Sequence, residues 1–275
     1  MVVEEVDMAK KSIEANKDLG QHWLSDRDSL EAICELANLG PEDYILEIGP
    51  GTGNLTEVLL GIAARVIAVE IDKGLLAGLS ERFNNQPKLE LINADIRNYD
   101  LTQLNEGYKV VANIPYYLTG HLIRQLSESA NPPSLCVLLV QKEVARRLSA
   151  KPGKLSLLGV TAQTYWEVTP GPIIPANLFS PPPKVDSQVV VLKRRPVPPT
   201  NLSQEFFRVV GAGFGQRRKT IANSLSAGLK ISKSTTEDYL RLAAINPYRR
   251  PQELSLEEWV KLTKALTETQ SEKVV

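Results

Sequence analysis

Tyr44-Ile45-Leu46-Glu47-Ile48-Gly49-Pro50-Gly51-Thr52-Gly53-Asn54-Leu55 reads as a buried strand that runs into a glycine turn and then a helix. Gly49 and Gly51 let the backbone pass close to a ligand, and Gly53 permits tight helix–strand packing. Working outward, Arg65-Val66-Ile67-Ala68-Val69-Glu70-Ile71-Asp72 is a second strand closing on an acid, and Leu89 to Ile96 is a third, with Asp95 at its carboxyl end. Val110-Val111-Ala112-Asn113-Ile114-Pro115-Tyr116-Tyr117 is a fourth. A helix is expected from about Thr119 to Ser129, then a fifth strand over Leu135 to Val140 and two more near Tyr165 to Val168 and Asp186 to Leu192. Strands alternating with helical patterns predict an α/β fold with a largely parallel sheet.

In such a sheet, ligands bind just outside the carboxyl ends of the strands. Pro115 has no N–H, so the ladder stops there and leaves Asn113 at that end. Asn113-Ile114-Pro115-Tyr116 combines a hydrogen-bond acceptor, a shaped backbone and a stacking ring, which are the parts needed to hold a flat base by its exocyclic amine. A plain strand-to-helix turn would use the same residue types. A glycine-rich turn by itself does not separate the nucleotide-binding classes, since nicotinamide and flavin proteins use a similar one. Glu47 does more. A carboxylate facing that loop repels a pyrophosphate but suits a ligand with an amino group and a sulfonium, which favours S-adenosylmethionine over a dinucleotide. Glu70 lies about 20 residues past the glycines, where an acid bonds ribose hydroxyls. Asp95 is placed to accept from an adenine amine, with Ile96 packing on the ring.

At 275 residues the chain is one large domain, or one domain plus a small one. Lys+Arg 32 balance Asp+Glu 32 overall, yet residues 193–250 hold twelve Lys/Arg against three acids, a local +9 that leaves −9 elsewhere. A basic module on an acidic body is the natural reading. Two cysteines, Cys34 and Cys136, both in apolar runs, make no disulfide framework, and two histidines without a Cys/His cluster give no metal site. No apolar run approaches membrane-spanning length and the first residues mix acids with bases, so a cytoplasmic location is expected.

The flanks complete the picture. Asn16 to Asp26 forms an arm containing Gln21-His22-Trp23, with Ser25 or Asp26 available to cap the next helix; Trp23 could equally be an ordinary core residue. Asn177-Leu178-Phe179-Ser180-Pro181-Pro182-Pro183-Lys184-Val185-Asp186 is a stiff proline loop, in which Phe179 is either a pre-set stacking face or a core plug. Arg194 to Asn201 resembles a linker, and beyond it only helical patterns follow. The expected division is 1–195 for the sheet domain and 196–275 for a small helical one. In the latter, Arg217, Arg218 and Lys219 open a helix and read as a phosphate-backbone contact, although a charge run also suits a solvated face.

Assembled, these residues resemble the KsgA-type ribosomal RNA adenine dimethyltransferases from about Leu19 to Leu266. The likeness rests on Gly20-Gln21-His22-Trp23-Leu24, Glu47 to Gly53, Val69-Glu70-Ile71-Asp72, Ala94-Asp95, Asn113-Ile114-Pro115-Tyr116 and Phe179 to Ser187, in that order. Gln216 to Leu225 resembles the small-subunit enzymes rather than the relatives that confer antibiotic resistance on the large-subunit rRNA. Asp18 and Ala222 depart from the family, standing where basic residues are common. The resemblance implies a Rossmann-like class I methyltransferase sheet with an all-helical C-terminal domain. It further implies S-adenosylmethionine held by His22, Leu24, Gly49, Glu70, Asp95 and Asn113, and no metal. The implied reaction is N6,N6-dimethylation of two adjacent adenines near the 3′ end of small-subunit rRNA, by a monomer acting on a small-subunit precursor in the cytoplasm. Asn113 and a backbone carbonyl near Pro115 would accept the two N6 hydrogens, with Tyr116 and Phe179 sandwiching the base. A large-subunit enzyme and a non-catalytic RNA-binding assembly factor are the alternatives. The complete acids and the intact Asn-Ile-Pro-Tyr speak against the second.

Overall fold

The computed structural model describes residues 20–115, 118–196, 204–216 and 218–272. In chain order the elements are β1 (Trp23–Leu24), α1 (Arg27–Leu36), β2 (Tyr44–Ile48), α2 (Asn54–Ile62), β3 (Arg65–Glu70), α3 (Lys73–Arg82), β4 (Leu89–Asn93) and β5 (Lys109–Asn113). There follow α4 (Thr119–Glu128), β6 (Leu135–Gln141), α5 (Lys142–Leu148), α6 (Leu157–Tyr165), β7 (Trp166–Ile174), β8 (Phe179–Ser180) and β9 (Ser187–Arg194). The helices α7 (Gln204–Phe214), α8 (Ile221–Leu229), α9 (Lys233–Leu242) and α10 (Leu256–Glu272) complete the chain.

Seven strands form one sheet in the order β4-β3-β2-β5-β6-β9-β7. The first five run parallel, and β9 lies antiparallel between β6 and β7. Successive residues alternate between two cores because strand side chains have a period of two. Leu46, Val110, Ala112 and Leu138 face one apolar cluster, while Ile45, Val111, Val137 and Leu139 face the other. Burial on both faces explains the near-continuous apolar runs of β5 and β6. The seventh strand is longer than its sequence suggests. Pro170 and Pro172 interrupt the pattern, but β7 is an edge strand whose register shifts between Pro170 and Ile173, where missing donors are tolerated.

The chain order reverses between β2 and β5, the switch point at which α/β sheets bind ligands. Here the two strands share only the pairs Ile45↔Lys109 and Leu46↔Val110. Beyond those their carboxyl ends are no longer laddered together, and Ile48 and Asn113 stand on opposite sides of an opening. The β5–β6 ladder, by contrast, continues to Asn113↔Leu139, so Asn113 is fixed from one side and open on the other.

Helices α7–α10 pack about Trp259, Phe206 and Leu262, all at most 1% exposed. Leu155 and Val160, from before the expected linker, join this third core, and the Tyr165 and Phe207 rings stack 6.0 Å apart across the seam between the two lobes.

Candidate active site

The cleft at the switch point holds about 800 Å³ of empty space, its mouth included, and is lined by Gly49, Glu70, Asp95 and Asn113 together with His22 of the N-terminal arm. Each acid is delivered by a strand end. Glu70 is the last residue of β3, only 5% exposed, and accepts from the Asp72 amide through Oε1 at 2.9 Å and from the Gly51 amide through Oε2 at 3.3 Å. Burial raises its pKa, and those amides partly offset the shift. They also fix the carboxylate plane at the cleft wall.

Asp95 follows β4 and caps the short 3-10 turn Ile96–Asn98. Arg97 grips both of its oxygens, Nε at 3.0 and 2.9 Å and Nη2 at 2.5 Å, which holds the carboxyl below its ordinary range. The Arg97 amide also donates to Oδ1 at 2.9 Å, so the carboxylate is held in place by its neighbour from both sides. Ile71 and Ile96 flank these acids in the lining. Ile71 is 44% exposed, a large apolar side chain left open at the cleft, and sequence reasoning did not single it out.

Asn113 is half-buried, and its Nδ2 donates to the His22 carbonyl at 3.0 Å. A carbonyl can only accept, so the amide orientation is determined and Oδ1 is the atom left for a ligand donor. His22 Nδ1 lies 2.8 Å from the Pro181 carbonyl, which for the same reason makes Nδ1 the protonated nitrogen. Gln21 Nε2 donates to Asp72 Oδ2 at 3.1 Å, tying the arm to the start of α3. The arm, the proline loop and the end of β5 are thus one hydrogen-bonded assembly. The sequence named the pieces but not the bonds between them.

Three expectations need correction. Phe179 is not a pre-set stacking face: it is 4% exposed and belongs to the core beneath the sheet. The cause is the two-stranded pairing of β1 with β8, which sets Phe179 opposite Leu24 with both side chains packed inward. Leu24 for the same reason lies outside the main cleft. Its side chain is 3% exposed, and its carbonyl accepts from Asn54 Nδ2 at 3.0 Å. Glu47 also misses the main cleft. It is 1% exposed and lines a smaller adjoining cavity that shares Trp23, Gly49 and Asn113 with the cleft. Burial pushes its pKa up to about 8, and its Oε2 has no hydrogen-bond partner among the described residues.

The glycines act partly as expected. A Cβ on Gly53 would stand 2.6 Å from Phe83 and 2.7 Å from Leu79, so this residue is small in order to seat the turn on α3. At Gly51 the close neighbour is the Trp23 indole, 2.7 Å from a Cβ placed there. Gly51 therefore makes room for the arm. Arg218 and Lys219 are exposed just before Thr220, the N-cap of α8; Tyr116 and Arg217 lie outside the described residues. Among the described residues no cluster of metal-ligating side chains occurs, and no helix is long and apolar enough to cross a membrane.

This cleft fits an adenosine bearing a cationic tail. Two carboxylates stand at the ends of adjacent strands and two isoleucines can flank a ring, while the Glu47 carboxyl, with one oxygen unpartnered among the described residues, lines the adjoining cavity. Comparison with known proteins agrees with that chemistry. The ribosomal RNA adenine dimethylase family model matches residues 12–268. The chain is 41% identical to ribosomal RNA small subunit methyltransferase A of Dehalococcoides mccartyi, over 91% of its own length and 88% of the relative's. It is 40% identical to the protein of that name from Pelotomaculum thermopropionicum, covering 95% and 94%. Among solved structures it resembles a dimethyladenosine transferase from Plasmodium falciparum, with a TM-score of 0.77, 26% identity and coverage of 92% and 98%. It also resembles the 23S rRNA methyltransferase ErmE, with a TM-score of 0.72, 29% identity and coverage of 89% and 99%. With the cleft, the fold and these matches in agreement along nearly the whole chain, the protein belongs to the ribosomal RNA adenine dimethylase family.

Proposed function

We propose that this protein dimethylates N6 of two adjacent adenines in the 3′-terminal hairpin of small-subunit rRNA, using S-adenosylmethionine, during assembly of the small ribosomal subunit. The observation that carries the reading is the fixed Asn113 amide, whose Oδ1 is left over on the same cleft as Glu70 and Asp95.

Bound there, S-adenosylmethionine supplies a methyl group already activated by its sulfonium. Glu70 holds the ribose hydroxyls, Asp95 accepts from the adenine amine, and Ile71 and Ile96 flank that ring. His22 and the backbone at Gly49 close the pocket, and Glu47 faces the amino group from the adjoining cavity. The target amine is a poor nucleophile because its lone pair is spread into the ring. Asn113 Oδ1 accepts one N6 hydrogen and the backbone near Pro115 accepts the other, which turns the nitrogen pyramidal and aims its lone pair at the methyl. Transfer would form the N–C bond as the donor's S–C bond breaks and its sulfur leaves as the neutral thioether, S-adenosylhomocysteine, with the displaced N6 proton going to water, since an amide cannot take it. Catalysis is then positioning and electrostatics, with neither a strong base nor a metal required. Extruding the base costs a few kcal/mol, and stacking on Tyr116 returns about 1–3 kcal/mol. Phe179 supports the loop from the core.

In this reading residues 1–195 carry the chemistry and 196–275 the RNA contact, by a monomer in the cytoplasm. Arg218 and Lys219 stand just before the N-terminal end of α8, where the helix dipole adds to their positive field, an arrangement suited to phosphate, and Arg217 precedes them in sequence. The test is to incubate the protein with undermethylated small subunits and labelled cofactor and to map the modified bases. Label at the paired adenines is expected. Label in large-subunit rRNA would replace this reading with the resistance-type activity, and no label at all would leave an assembly factor without catalysis.

A further inference from the structure

A second cavity, apart from the cleft, lies at the seam between the two lobes. It holds about 540 Å³ with its mouth included and is lined by Arg147 of α5, Lys154 and Ser156 of the following loop, and Phe214 and Gln252 of the helical lobe. Its position is built. The Gln252 carbonyl accepts from the Gly153 and Leu155 amides at 2.8 and 3.2 Å, so the loop bearing Lys154 is stitched to the opposite lobe. Leu155 and Phe214 sit in the helical core and form an apolar floor.

The charges above that floor lack partners. Arg147 Nε is shut off from water and has no hydrogen-bond partner among the described residues. Lys154 takes part in none of the ion pairs among those residues, and the one acid in the lining, Glu143, is turned to Arg146 at 3.7 Å. A guanidinium short of acceptors, an unpaired ammonium and a serine hydroxyl around one hollow call for a multidentate oxyanion. Two features say which. Helix α5 starts at the end of β6, the strand laddered to Asn113, so Arg147 stands on the order of 8 Å along the helix from the edge where the chemistry occurs. On the other wall, Phe214 leads within five residues into Arg218 and Lys219.

We infer that Arg147 and Lys154 form a phosphodiester-binding pocket that seats one backbone phosphate of the RNA substrate between the catalytic edge and the basic start of α8. The pocket clamps the RNA across the lobe seam. It contributes affinity and register but no base selectivity. The inference rests on the proposed rRNA substrate only for the identity of the polyanion.

The experiment measures binding of undermethylated small subunits to the full-length protein at several monovalent salt concentrations, magnesium held fixed. Wild type is compared with Arg147→Met and with Lys154→Gln, the latter at an exposed position whose change does not threaten folding. Each variant is expected to bind S-adenosylmethionine as wild type does, to bind subunits about 3- to 10-fold more weakly, and to lower the log–log salt slope by about 0.7–0.9. Unchanged affinity and slope for Lys154→Gln overturn the pocket, whatever Arg147→Met does. Inorganic phosphate is titrated in parallel. If it binds in an Arg147-dependent way while the subunit slope is unaltered, the pocket holds a free anion and the RNA assignment is wrong. Methyl transfer is scored separately, so an inactive wild type defeats the proposed function without deciding the pocket.

Discussion

Asn113 Nδ2 and the His22 carbonyl oxygen meet at 3.0 Å across 91 residues of chain, and that bond determines which face the amide turns to a substrate. Asn113→Asp keeps the shape but sets a carboxylate oxygen against a carbonyl. Asn113→Ala removes the acceptor altogether. Both are expected to lower single-turnover methyl transfer by about 10²–10³-fold, the usual cost of a lost charge-stabilising group, with a smaller loss of cofactor affinity. Wild-type turnover by Asn113→Ala with cofactor bound would remove Asn113 from the chemistry.

Glu47 makes stability depend on pH. Its carboxyl titrates at about 8 in the fold against 4.5 ordinarily, so the folded chain holds a proton that the unfolded chain gives up. This contribution is complete below pH 4.5 and is lost as pH rises through about 8. Glu47→Gln cannot titrate. Urea melts of the cofactor-free protein are expected to show a flatter pH profile for the variant, with a gain over wild type on the order of 1–3 kcal/mol at the alkaline end. Parallel profiles would mean that Glu47 is already ionised in the fold.

Ile71 separates binding from stability. At 44% exposure it contributes little to the core, so Ile71→Ala is expected to leave the melting temperature nearly unchanged. Loss of its contact with the adenine ring should weaken cofactor binding by about 3- to 10-fold, read by calorimetry. Asp95→Asn, which cannot hold Arg97 as an ion pair, should weaken it further. An Ile71→Ala protein with unaltered affinity would move the ring elsewhere in the cleft.

Gly51 and Gly53 should fail differently, although both have positive φ, 58° and 86°. At Gly53 a methyl group meets Phe83 and Leu79 on a packed helix, so Gly53→Ala is expected to cost about 2–3 kcal/mol of stability. At Gly51 the obstacle is the half-buried Trp23 on a two-residue strand, which can shift. Gly51→Ala is expected to cost about 1 kcal/mol but to raise the KM for cofactor by displacing the arm. Thermal melts beside cofactor titrations distinguish the two, and equal stability losses would contradict the assignment.

What could be read in the sequence, and what could not, follows from the range of each signal. The ends of β2, β3 and β5 were legible because apolar runs stop at Gly49, at the acid Glu70 and at Pro115, each a local break. A cap at Ser25 or Asp26 was legible too, and the structure makes it Asp26, whose side chain accepts from the Ser29 amide. The β1–β8 pairing was not, since two residues carry no periodicity. Without it, nothing near the prolines tells whether Phe179 faces a ligand or the core. Glu47 was placed on the correct strand, but the choice between the cleft and the adjoining cavity depends on α2 and Thr56. The Arg147–Lys154 hollow is formed by Gln252 and Phe214 from the distant lobe, a juxtaposition that no window of sequence contains.

The union of the arm with the proline loop bears on the order in which a ribosome delivers this chain. His22 emerges early, yet its partner Pro181 follows only 159 residues later. While a growing chain lacks that loop, the arm can already bond to Asp72, Asn54 and Asn113 but not yet pair Trp23 with Ser180 and Leu24 with Phe179. The wall of the cleft that the arm forms is therefore completed late in translation, only after the proline loop has emerged.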